Sequence, residues 1–165
     1  MSAPRRSRKG SARPFFAGLA LAVALPMAVA SLAAASTERI VVDQRTGLAI
    51  YGFDPVAYFT NAAAAMGREE LELPYGGAVW RFRNAGNRTA FAEHPDVYMP
   101  QFGGYDPIGL AHGTATPGHP HLWLVADNRL FLFHTREARD RFAADPQRAI
   151  AAANASWPDV ARELP

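Results

Sequence analysis

The sequence predicts an α+β fold: a small single domain with two antiparallel hairpins packed with short helices and a C-terminal helix. Three observations carry that expectation. Two pairs of strand-like runs flank turn signals, 70–73 with 78–82 across Tyr75-Gly76-Gly77, and 121–126 with 129–133 across Asp127-Asn128. Asp-Pro occurs at 54–55, 106–107 and 145–146, where Asp caps free N–H groups and Pro takes the first helical position. Ile150, Ala153, Trp157 and Val160 fall at helical spacing.

The elements follow in order. Residues 39–43 (R-I-V-V-D) form a short β-like run that turns at Thr46-Gly47. Asp54-Pro55 starts a short helix carrying Val56, Ala57, Tyr58 and Phe59. The first hairpin leads into a helix over 84–93, which His94-Pro95 ends. Pro100-Gln101-Phe102-Gly103-Gly104-Tyr105 is a loop whose paired glycines need a left-handed backbone or a close approach. Asp106-Pro107 opens a helical turn to about Ala111. In the second hairpin Leu122, Leu124 and Ala126 alternate with Trp123 and Val125. Thr135 caps a helix to Ala143, and Asp145-Pro146 opens the last helix, which Pro158 is expected to break. Trp80, Phe82, Phe91, Tyr98, Trp123, Phe131 and Phe133 are the expected core, and Arg136, Glu137, Arg139, Asp140 and Arg141 a solvated helix face. No internal repeat is expected.

The 165 residues carry a formal net charge of +2, which by itself hints at a polyanionic partner. Arg5, Arg6, Arg8, Lys9 and Arg13 account for it, and an uncharged, Ala-rich stretch over 15–35 follows. That is the plan of an export signal, residues 1–30, cleaved after Ala30 or Ala35. An uncleaved inner-membrane anchor is the alternative. The chain beyond it, residues 37–165, has 12 Arg and no Lys against the 15 acids of the whole sequence, and is therefore acidic. Nucleic-acid binding has no support there. The expected location is the periplasm or the exterior, with membrane contact only through an uncleaved signal.

Asp54-Pro55-Val56-Ala57, then Tyr75-x-Gly77-x-x-Trp80-x-Phe82, then Asn87-x-x-x-Phe91-x-x-x-Pro95-x-x-Tyr98 resemble the YHS domain. Pro100-Gln101-Phe102-Gly103-Gly104-Tyr105 and the second hairpin continue the match, which is similar to the exported, stand-alone YHS-domain proteins of bacteria and spans about Tyr51 to Trp157. The resemblance implies a heavy-metal role for shorter members, through cysteines whose positions fall at Ala57, Arg83 and Asn87. Longer relatives often have a cysteine where this chain has Asp106. The chain contains no cysteine, so that soft-metal chemistry does not transfer.

Two candidate sites remain. His112, His119 and His121 lie within ten residues, and a His-x-His pair on extended chain turns both imidazoles to one face, a way to hold Zn or Cu with His112 or Asp106 as a third ligand. The competing reading is a loop entering a strand, with Pro120 stiffening it. Tyr58, Tyr105, Asp106 and His112 form the second set, suited to a small polar ligand or acid–base chemistry. There the competing reading is two core-edge tyrosines and a helix cap. No nucleophile elbow, P-loop or dinucleotide fingerprint is present. The leading functional expectation is therefore a non-catalytic binding module for a small ligand, a metal ion or an envelope partner. A small metal-dependent enzyme with His/Asp-ligated Zn or Cu is one alternative. An accessory subunit of an envelope complex, using exposed aromatics around Gly103-Gly104, is another.

Overall fold

In the computed structural model, residues 39–164 are described; the proposed export signal lies outside them. Asp43 closes the first turn, its carboxylate accepting the N–H groups of Arg45 and Thr46 at 2.9 Å each. Those two donors hold its carboxyl below the usual range. The expected strand at 39–43 is reduced to a single bridge, Val42 to Ala49. Val41 stands between the two halves, its N–H donating to the Gly103 carbonyl and its carbonyl accepting the Ile50 N–H, each at 2.8 Å.

A 3-10 turn, Ile50–Gly52, leads to Asp54 and the short helix α1 (Ala57–Thr60). The strands β1 (Arg68–Tyr75) and β2 (Ala78–Phe82) follow, then α2 (Ala85–Glu93) and α3 (Pro95–Tyr98). Asn84 caps α2 through the Asn87 N–H. A second 3-10 turn, Gln101–Gly104, leads to Asp106 and α4 (Pro107–Leu110). Then come β3 (His119–Ala126), β4 (Arg129–Phe133), α5 (Arg136–Ala144) and α6 (Pro146–Glu163). Thr135 caps α5 and Asp145 caps α6. The result is the expected α+β domain, with two antiparallel two-stranded sheets and a C-terminal helix.

That order is one motif used twice: 3-10 turn, Asp-Pro helix, hairpin, capped helix, Pro-initiated helix. The expectation of no internal repeat is overturned. A shift of 51 or 52 residues carries Gly52-Phe53-Asp54-Pro55 onto Gly104-Tyr105-Asp106-Pro107, and Asn84 onto Thr135. The backbone repeats as well. Ile50, Tyr51 and Gly52 have φ of 41°, 57° and 81°; Phe102, Gly103 and Gly104 have 56°, 62° and 94°. Asp54 N–H donates to the Ala65 carbonyl at 2.8 Å, and Asp106 N–H to that of Thr116 at 2.9 Å. Both hairpins slip register at one place: Arg68 pairs Phe82 but Glu72 pairs Arg81, and His119 pairs Phe133 but Trp123 pairs Leu132. Just before each bulge stands a glycine, Gly67 or Gly118, whose N–H reaches Gly52 or Gly104 at 2.9 Å. A Cβ on Gly67 would collide with Arg81, and one on Gly118 with Leu132 and the Gly104 carbonyl.

Each half builds a core of its own. Trp80, Phe82, Phe91 and Tyr58 anchor the first, which also takes Leu130 and Leu132 from the second hairpin. Phe131, Phe133, Phe142 and Leu110 anchor the other, closed by Ala153 and Val160 of α6. Tyr98 and Trp123 of the expected core are half-buried at the margin. Pro158 does not end α6, which continues to Glu163. Burial of Val160 beyond it offsets the lost hydrogen bond, and Pro158, having no N–H, leaves the Asn154 carbonyl without its helical partner. Among the described residues no helix is long and apolar enough to cross a membrane.

Candidate functional site

The two buried aspartates are the most tightly held side chains in the fold. Asp54 is 0 % exposed. One oxygen accepts the N–H groups of Val56 at 2.9 Å and Ala57 at 3.3 Å; the other accepts the Arg83 N–H at 2.8 Å and the Asn87 side-chain amide at 2.6 Å. Asp106 is 3 % exposed and accepts Ile108 N–H and His134 N–H, each at 2.8 Å. Each carboxylate thus caps its Asp-Pro helix and ties it to the strand end leading to the next helix. Ala57, Arg83 and Asn87, the positions the YHS resemblance aligns with cysteines, all meet on Asp54. In this chain they form a closed hydrogen-bonded knot with no acceptor left over for a ligand.

The Tyr58, Tyr105, Asp106 and His112 set is not assembled as a site. Tyr58 belongs to the first core, and its hydroxyl donates to the Pro120 carbonyl at 2.9 Å, a tie between the two halves. Burial, and secondarily the Asp54 charge, push that phenol well above its ordinary value. Tyr105 packs on the second core beside Trp157, with ring centroids 6.1 Å apart. Burial raises its pKa, the Arg39 guanidinium opposes the rise, and the Tyr51 hydroxyl adds to it. Asp106 is spent on capping. His112 is exposed on the turn after α4. Phe102 is buried under Trp157, so the aromatics beside Gly103-Gly104 are packing residues and leave no exposed patch there.

The histidines divide differently from the expected trio. His119 and His121 lie side by side and exposed at the start of β3, with ring centroids 5.6 Å apart. Among the described residues, no group of three or more His, Cys, Asp or Glu is placed to hold a metal ion, so His112 does not complete the pair. The His121 N–H donates to Nδ1 of His119 at 3.2 Å.

Beside the pair runs an open groove of about 470 Å³, lined by Tyr51, Phe53, His119, Pro120 and His121. Phe53 meets His121 edge-on at 5.0 Å. Tyr51, which sequence reasoning passed over, is the unusual member. It is 38 % exposed and sits at φ 57°, a left-handed conformation that disfavours a residue with a Cβ. Its counterpart in the second half is Gly103, where a Cβ would strike the Arg39 carbonyl. Comparison with known proteins adds no assignment: no family model, curated protein or solved structure matches this chain.

Proposed function

We propose that this chain is an exported, non-catalytic binding module of the YHS type that works in the periplasm. Its ligand is a small molecule with a planar apolar body and an anionic or hydrogen-bond-accepting group. One observation carries the reading: Tyr51 holds a left-handed backbone at a cost of about 1–3 kcal/mol in order to stand in the groove. Its counterpart Gly103 has no room for a Cβ beside the Arg39 carbonyl, whereas Tyr51 is 38 % exposed and lines the groove. The groove is mostly apolar with a few polar tips, the usual make-up of a small-ligand site. The exposed His119 and His121 rings offer polar atoms at its rim, and Tyr105 lies within electrostatic reach of both Tyr51 and Arg39.

Small aromatic carboxylates such as 4-hydroxybenzoate and indole-3-acetate are the first probes. Titrated by NMR, they are expected to shift the His119 and His121 ring signals, with binding weakened in His121→Ala. Tyr51→Gly is expected to weaken binding while raising stability by about 1 kcal/mol through relief of strain. A Tyr51→Gly protein that binds as well as the parent, or a groove silent to every such probe, would overturn the reading. Stoichiometric Zn or Cu, lost in His119→Ala, would replace it with the metal-site alternative.

A further inference from the structure

A second cleft, remote in kind from the aromatic groove, carries an assignment of its own. It is polar, encloses about 220 Å³, and gathers Asp96 from the first turn of α3, Gln101, Arg129 from the start of β4, and Asn154 and Trp157 from α6 over a floor that includes Phe102. Asp96 and Arg129 are both exposed, and neither side chain makes an ion pair or hydrogen bond with any described residue. They border one cleft as opposite charges that do not meet. Arg129 has five donors in a fixed fork suited to a carboxylate, and Asp96 accepts only. Asn154 of α6 also lines the cleft, and its side-chain amide carries an acceptor as well as donors.

The duplication shows that the scaffold does not require this set. Arg129 corresponds to Ala78 and Gln101 to Ala49. The counterpart of α6, the short helix α3, ends at Tyr98, so the first half has nothing equivalent to Asn154 or Trp157. The hollow beside Ala78 in the first half is lined by Gly47, Pro74, Tyr75, Gly76, Gly77, Ala78 and Val79 and carries no charge. Gln101, Arg129, Asn154 and Trp157 belong to the second half, and Asp96 of α3 borders the same cleft from the first. We propose that this cleft binds a small zwitterion, a free α-amino acid. Its carboxylate pairs with Arg129, its ammonium with Asp96 and the Asn154 side-chain amide oxygen, and its side chain lies against Trp157.

Free L-amino acids, screened against the purified chain by calorimetry and tryptophan fluorescence at neutral pH, test it. At least one is expected to bind with a fluorescence change that disappears in Trp157→Phe. Arg129→Ala and Asp96→Asn are each expected to weaken binding about tenfold, the worth of one charge-assisted contact, with an unchanged unfolding midpoint. The methyl ester and the N-acetyl form of the same amino acid should each lose as much. Absence of binding at millimolar concentration, binding indifferent to both charge substitutions, or equal binding of the ester would overturn the proposal. So would a neutral sugar such as glucose producing the Trp157 response where amino acids do not. The outcome is separable from that of the aromatic groove, because Tyr51→Gly is expected to leave amino-acid binding unchanged.

Discussion

The two halves of the chain share a frame and differ in what fills it. In the first, Asp54 accepts four donors, one of them the Asn87 amide. In the second, Asp106 accepts two, and Ala138 stands where Asn87 would be. The first half completes its core with Trp80 and Tyr58; the second puts Phe131 and Leu110 in those places and adds the long helix α6. The features that recur are those the backbone enforces: the left-handed turn, the Asp-Pro cap, the glycine before the bulge, the helix N-cap. Those that differ are side chains facing a core or a cleft, where any shape filling the space is tolerated. Both candidate sites draw on these differences, Tyr51 against Gly103 and Arg129 against Ala78.

The largest effect should separate the two knots. Asp54→Ala strands the buried N–H groups of Val56 and Ala57 and the buried Asn87 amide, so it is expected to cost about 3–5 kcal/mol. Asp106→Ala, with half the donors, should cost about 2 kcal/mol in the same urea titration. Equal losses would show that the extra donors of the first half add nothing. Where the halves are alike, they should respond alike. Gly67→Ala and Gly118→Ala each drive a methyl into a neighbouring strand, and each is expected to lower stability by about 2–3 kcal/mol. A harmless Gly118→Ala would break the equivalence of the two bulges.

Tyr58→Phe tests the tie between halves. Removing the donor to Pro120 is expected to cost about 1–2 kcal/mol at neutral pH. The folded-state pKa of Tyr58 lies above its unfolded value of 10.0. Its contribution is thus complete below that pH and is lost as pH rises above it, because the unfolded chain then releases a proton the folded chain keeps. The Phe variant should show a shallower alkaline loss of stability. The smallest effect is a gain. Ala138→Asn is expected to supply Asp106 with the donor Asn87 gives Asp54, adding up to about 1 kcal/mol by thermal unfolding.

Much of the architecture was legible because its signals are local. Asp54, Asp106 and Asp145 cap helices as their Asp-Pro dipeptides announce, and the turn signals at Tyr75-Gly76-Gly77 and Asp127-Asn128 located both hairpins. The duplication was not legible, because the enforced positions are few and widely spaced among residues that changed. His119 and His121 were readable as a pair by their spacing, whereas the separation of His112 depends on where α4 docks. Tyr51 gave no signal, since a left-handed φ on a tyrosine leaves no trace in residue type.

By itself the sequence determined the α+β class, the caps, the turns and the absence of thiolate chemistry. Each of these follows from a side chain acting on its own backbone within a few residues. Only the tertiary structure decided that the motif is used twice, that Ala57, Arg83 and Asn87 close on Asp54, and that a groove and a charged cleft stand open. Those outcomes depend on residues 33 and 28 positions apart meeting at hydrogen-bond distance, and the energy that selects such meetings is spread over the whole packed core.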